Sequence, residues 1–250
     1  MKTAQSCRLI GLVVMVMAVA VATTAAADKT SFGQDVLKSA QQLAAGKDSP
    51  QNSQIVDGLK EALQVGTDNA VKSVSRPDGY YKNQDIKILL PQYVQNAETV
   101  LRAAGMGATL DEFEQSMNRA AEKAAPQAKS LFLDAVKQMN VTDAEKILNG
   151  RDNEATLYFK DKTSAQLQAL FIPIVKESMS SVGVTRIYQS LEQKIQSIPF
   201  AGATSFNLDQ YVTEKSIDGV FVMLAKEEAS IRKNPAARVT DLLKNVFGNR

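Results

Sequence analysis

The chain has 250 residues, with 29 Lys and Arg against 27 Asp and Glu, one cysteine and no histidine. Without histidine, a Ser-His-Asp triad, a Cys-His pair and imidazole metal ligation are all excluded. The formal charge is only +2 and no dense basic cluster occurs; this disfavours nucleic acid as a partner, since binding there rests on phosphate neutralisation.

Lys2 and Arg8 form a short positive region, Leu9–Ala22 is an uncharged run, and Ala25-Ala26-Ala27 is a small-residue cleavage pattern. That order predicts a secretory signal peptide over residues 1–27, cut after Ala27. The uncharged run is shorter than the roughly 20 residues needed to span a bilayer. Cys7 precedes this run, whereas a lipid-bearing cysteine would follow it. It leaves with the signal, so the mature chain has no thiol, no disulfide and balanced charge. A chain of this size buries enough surface to fold without disulfide staples. A periplasmic location is expected, with no transmembrane segment after cleavage.

Residues 28–50, with their Gly, Ser, Lys and Gln content, read as a flexible N-terminal segment, and 51–250 as a single helical domain. Ile55, Leu59, Ala62, Leu63, Gly66, Ala70 and Val74 recur at steps of three and four, the mark of one buried helix face. Arg76-Pro77-Asp78-Gly79 is turn chemistry, and Tyr80-Tyr81 beside it reads as the cover of a core edge or as a contact point. Ile86–Pro91 looks extended. Helical stripes resume at Val94, Ala97, Leu101 and Ala104, and again from Leu110 through Phe113, Met117, Ala121, Ala128 and Phe132 to Met139. Pro126 kinks or breaks that long stripe, with a break preferred because proline suits a first helical turn. Pro173 raises the same question within 164–182. Later stripes run Val184, Ile187, Tyr188, Leu191, Ile195, Ile198, and Ile217, Val220, Phe221, Leu224, Ile231.

Thr109-x-x-Glu112, Thr142-x-x-Glu145 and Thr163-x-x-Gln166 have capping-box spacing. Asn153 reads as an N-cap, Asn234-Pro235 as an N-cap with proline behind it, and Gly105, Gly150 and Gly183 as left-handed C-caps. A second irregular stretch, Ile198–Ala203, can pair with 86–91 as one short extended ribbon. The fold class is therefore all-α, a single-domain bundle of about eight to ten helices on this periodicity.

Several segments together resemble the bacterial family known as domain of unknown function 4197. They are Asp57–Leu63, Asn118–Pro126, Lys146–Gly150, Pro173–Ser178, Val212–Lys215, Asp218-Gly219, Asn234–Arg238 and the tail through Phe247-Gly248. The resemblance spans about residues 53–248. It implies a signal-bearing, mostly helical protein of a Gram-negative envelope, and it implies no activity.

Three polar groupings are candidates for chemistry. Glu228 falls inside an apolar stripe between Leu224 and Ile231, where a carboxylate needs a partner. Arg232 follows one turn later and Arg238 lies past the Asn234-Pro235 corner; the expected role is a structural ion pair. Glu114, Asn118 and Glu122 follow one another at single-turn spacing along a helix edge. This ladder can hold a cation or the polar end of a ligand, or satisfy a neighbouring backbone. Asp152-Asn153-Glu154 hints at calcium but lacks EF-hand spacing, so a loop before a helix is expected. No phosphate loop, nucleophile elbow or metalloprotease helix is present, and no catalytic residue, cofactor or metal is assigned. The functional expectation is a non-enzymatic envelope protein that binds another envelope protein or a small apolar ligand. An enzyme working with carboxylates and a ligand-free structural protein are the alternatives.

Overall fold

The computed structural model describes residues 50–181, 184–196 and 206–233. The signal segment, Gly183, the 198–203 stretch and Arg238 lie outside the described residues. Eight α-helices occur among the described residues, with no strand. They are α1 (Pro50–Ser75), α2 (Gln92–Leu101), α3 (Gly107–Ala124), α4 (Ala128–Gln138), α5 (Val141–Asn149), α6 (Glu154–Ser181), α7 (Val184–Gln196) and α8 (Leu208–Lys233).

The stripes place the core. On α1, Leu59, Ala62, Leu63, Ala70 and Val74 are buried, while Ile55 at the open end is exposed. α8 packs against α1, α3 and α6, and α3 also packs against α6 and α7. Phe132 of α4 sits between Phe159 of α6 and Phe221 of α8, with ring centroids 5.1 and 5.8 Å apart. Such tilted aromatic contacts add to what area burial alone contributes.

The helix ends differ from the sequence expectation in instructive ways. Gly105 has the expected left-handed backbone, φ +83°, within the wide turn Arg102–Met106 that joins α2 to α3. Because that turn ends early, α3 starts at Gly107 and Thr109 lies inside the helix, not at its cap. Ala104 falls in the same turn and is exposed. The cap of α5 is Asn140, whose side chain accepts from the Asp143 amide at 2.8 Å while Asp143 accepts from the Asn140 amide. Thr142 is thus inside α5. Thr163 is interior to α6 and its hydroxyl donates to the Phe159 carbonyl at 2.7 Å. Gly150 is extended rather than left-handed, with φ −84°; a Cβ there would stand 2.4 Å from Glu154 Cγ, so close packing accounts for the glycine.

Pro126 lies in a single 3-10 turn, Ala125–Gln127, whose flanking residues keep helical dihedrals. α3 and α4 are therefore separate α-helices without a loop between them. Pro173 leaves α6 unbroken. It and Ala169, whose carbonyl it deprives of a donor, are both exposed, so water can serve that carbonyl.

Candidate functional site

Glu228 is 7% exposed on α8 and faces the N-terminus of α6. Its two oxygens accept from the Ala155 amide, the Thr156 amide and the Thr156 hydroxyl, each at 2.9 Å. The first amides of a helix have no intrahelical acceptor, and a carboxylate there also complements the helix dipole. Glu228 thus serves α6 as a cap drawn from 72 residues away in sequence. Arg232 donates to Glu228 at 2.9 Å and to the Ile147 carbonyl, near the end of α5, at 2.8 Å. One ion pair therefore closes the end of α5 and the start of α6 onto α8.

Glu114, Asn118 and Glu122 carry a different load. Asn118 is fully buried and reads the extended chain at Ile88: its Oδ1 accepts from the Ile88 amide and its Nδ2 donates to the Ile88 carbonyl, both at 2.8 Å. The primary amide thereby pairs with Ile88 as a neighbouring strand would. Glu122 accepts from the Tyr80 amide at 3.0 Å and from Arg119 at 2.7 Å. Glu114 pairs with Lys87 at 2.6 Å. The three residues form a rail on α3 along which residues 80–88 are docked.

Tyr80 completes this docking. Its ring is fully buried and its hydroxyl donates to the Ser216 carbonyl of α8 at 2.5 Å. Burial, with Glu122 nearby, pushes its phenol far above the ordinary tyrosine range. The ring presses on Gly219, where a Cβ would come within 2.4 Å of Tyr80 Cε1. Asp78, just before, has φ +65°. Salt bridges to Lys82 at 2.7 Å and Arg119 at 2.6 Å hold it, and Lys82 foremost keeps its carboxyl below the usual range. Tyr80 is therefore the core-edge member of the tyrosine pair, with Tyr81 half-buried beside it.

The Asp152–Glu154 stretch pairs with cations of the chain itself. Asp152 meets Lys233 at 2.5 Å and Glu154 meets Arg151 at 3.2 Å. Among the described residues no group of three or more Asp, Glu, His or Cys is placed to hold a metal ion.

Residues 49–248 match the family model described as protein of unknown function, DUF4197. The chain belongs to this family. No curated protein and no solved structure matches it. The geometry gives several of the segments that resemble the family a structural role. Asn118–Pro126 carries the rail and the 3-10 turn, Lys146–Gly150 the α5 end held by Arg232, and Asp218-Gly219 the seat of the Tyr80 ring.

A concave space remains at the other end of α6. A cleft of about 730 Å³ lies where the C-terminal part of α6, α7 and the start of α8 meet. Met179, Tyr188, Phe206 and Leu208 give it apolar walls, and Lys176, Glu192 and Asp209 give it a charged rim. Its volume lies within the range of small-molecule sites, roughly 300 to 1,000 Å³. Sequence reasoning missed this cleft, because its walls come from three helices whose crossing no local pattern reveals. Of its lining, only Tyr188 is read from the sequence as part of a buried helix face.

Proposed function

We propose that this member of the family is a non-enzymatic protein of the bacterial periplasm that acts by binding, and that its ligand is a small, largely apolar molecule held in the cleft of α6, α7 and α8. The observation that carries this reading is the use to which the candidate polar residues are put. Glu228, Asn118 and Glu122 spend their hydrogen-bonding capacity on backbone and arginine, and Glu114 is paired with Lys87. Those contacts commit the four side chains to holding the fold together. The cleft, by contrast, combines apolar walls with a few polar groups at its rim. The signal pattern at residues 1–27 supports the periplasmic part.

Native mass spectrometry of the protein, purified from the periplasm without denaturation, tests both parts. The expected spectrum shows cleavage after Ala27 and a discrete extra mass that disappears on unfolding. A Tyr188→Glu variant, which puts a charge on the apolar wall, should lose that mass while keeping its helical circular dichroism. A bare chain mass in both proteins would sink the small-ligand reading and leave a protein partner as the binding mode to pursue.

A further inference from the structure

The charges at the rim of the α6, α7 and α8 cleft are not spent on one another. In a smaller cleft of about 400 Å³ beside α5 and the start of α6 they are. There Glu154 meets Arg151 at 3.2 Å and Lys146 at 3.8 Å, and Asp161 meets Lys162 at 3.6 Å. At the larger cleft, Glu192 of α7 and Asp209 of α8 are half-buried. Among the described residues neither carboxylate has a hydrogen-bond or ion-pair partner. Lys176, the one cation of this rim among the described residues, is exposed. Asp209 has a local role, since an acid in the first turn complements the start of α8. Glu192, in the C-terminal half of α7, has no such role. It gives up part of its hydration without a partner of the chain's own to offset the loss.

Its surroundings are aromatic. Tyr188 stands one turn before Glu192 on the same face of α7, and Phe206 lines the same cleft. Other rings hold both in place: Phe206 lies 5.1 Å from Tyr93 and 5.4 Å from Tyr211, and Tyr188 lies 6.1 Å from Phe113, centroid to centroid. Burial foremost, with Glu192 as a nearby negative charge, pushes the Tyr93 and Tyr188 phenols above the ordinary tyrosine range. Aromatic rings attract positive charge through their quadrupole, and a neighbouring carboxylate supplies the counter-charge. A hard metal ion wants several oxygen ligands at once, and among the described residues no group of three or more acids is placed to give them. An anion would meet two half-buried carboxylates and only an exposed lysine.

We infer that the ligand of this cleft carries a positively charged nitrogen, a protonated amine or a quaternary ammonium, on its apolar body, and that Glu192 with the rings of Tyr188 and Phe206 seats that charge. The inference rests on the cleft being the binding site and adds the chemistry of the ligand's head. The apolar body takes the rest of the wall, at Met179 and Leu208.

Isothermal titration calorimetry of the purified protein with decyltrimethylammonium, decanol and decanoate, each below its micelle concentration, tests this. The three share a chain length and differ in head charge. The wild type is expected to bind decyltrimethylammonium about tenfold or more tighter than decanol, with decanoate weakest. Glu192→Gln should bring the ammonium-to-decanol ratio close to one. Lys176→Met, which removes the opposing cation, should raise it. Shifts of opposite sign do not come from loss of fold. Tyr188→Glu charges the wall that holds the apolar body, so it should weaken all three and thereby locate them in this cleft. Equal binding of the ammonium and the alcohol by the wild type, or tightest binding of decanoate, overturns the inference while the apolar cleft stands. An ammonium preference unchanged by Glu192→Gln overturns it too, since the head then sits elsewhere. If none of the three binds, the cleft reading itself fails and takes the inference with it.

Discussion

Glu228 and Asn118 are both buried polar side chains that serve the backbone of another element, and they close different kinds of gap. Glu228 closes a helix start: two amides with no intrahelical acceptor, a hydroxyl, and an arginine that in turn reaches a carbonyl of α5. Asn118 closes a stretch with no secondary structure of its own, by standing in for a strand at one residue, Ile88. The first gap is electrostatic, because a charge is buried together with its counter-charge. The second is neutral and depends on a donor and an acceptor lying in one plane. Buried polar residues in this bundle are thus joints between elements, and their cost of removal should follow the charge left behind.

Four substitutions separate the charged joint from the neutral one. Glu228→Ala should be the most damaging, at about 3–5 kcal/mol, because it breaks a largely buried ion pair and leaves helix amides without an acceptor. Urea denaturation measures it, and a Glu228/Arg232 double-mutant cycle should show strong coupling. If Glu228→Ala cost no more than an exposed substitution, the node would not be the joint described. Asn118→Ala should follow at about 2–4 kcal/mol, the cost of leaving the Ile88 amide and carbonyl unpaired. Hydrogen exchange at Ile88 should accelerate far more than exchange in the middle of α3. Equal acceleration in both places would mean that residues 80–88 are not held by this rail.

Gly219→Ala should come next, at about 1–3 kcal/mol, since the new Cβ overpacks against the Tyr80 ring. Pairing it with Tyr80→Ala should relieve part of that cost; strictly additive losses would argue against the contact. Tyr80→Phe should be mildest, about 1 kcal/mol for the single hydrogen bond to Ser216. The same residue governs a pH effect. Its phenol is held protonated in the fold and has a lower pKa in the unfolded chain. Its contribution is therefore fully present below about pH 10, the ordinary tyrosine value, and is lost as pH rises above it. Wild type should lose stability on alkaline titration more steeply than Tyr80→Phe, by thermal melts at matched ionic strength.

Parts of both joints were visible before any coordinates. Glu228 was conspicuous because an acid lay within an apolar stripe with an arginine one turn on, and the structure shows it buried and paired with Arg232. What it caps was not visible, because the α6 start is far away in sequence and Asn153 was the local candidate. Asn118 and Glu122 were legible as a polar line on a helix edge, but not as a rail, since nothing local says that residues 80–88 return to that edge. The three threonine boxes failed for one physical reason. A capping spacing acts only where a helix begins: α3 and α5 begin at other local signals, the turn at Gly105 and the reciprocal Asn140–Asp143 cap, and Thr163 lies well inside α6.

The sequence by itself determined the elements and their buried faces, because periodicity, proline and turn residues act within a few positions of themselves. It also determined that histidine chemistry is absent and that the one thiol is that of Cys7. Only the tertiary structure decided which backbone each buried polar group serves, and that α6, α7 and α8 meet around a cleft. Those outcomes depend on which segments become neighbours, and burial energy is realised only after the chain has closed on itself.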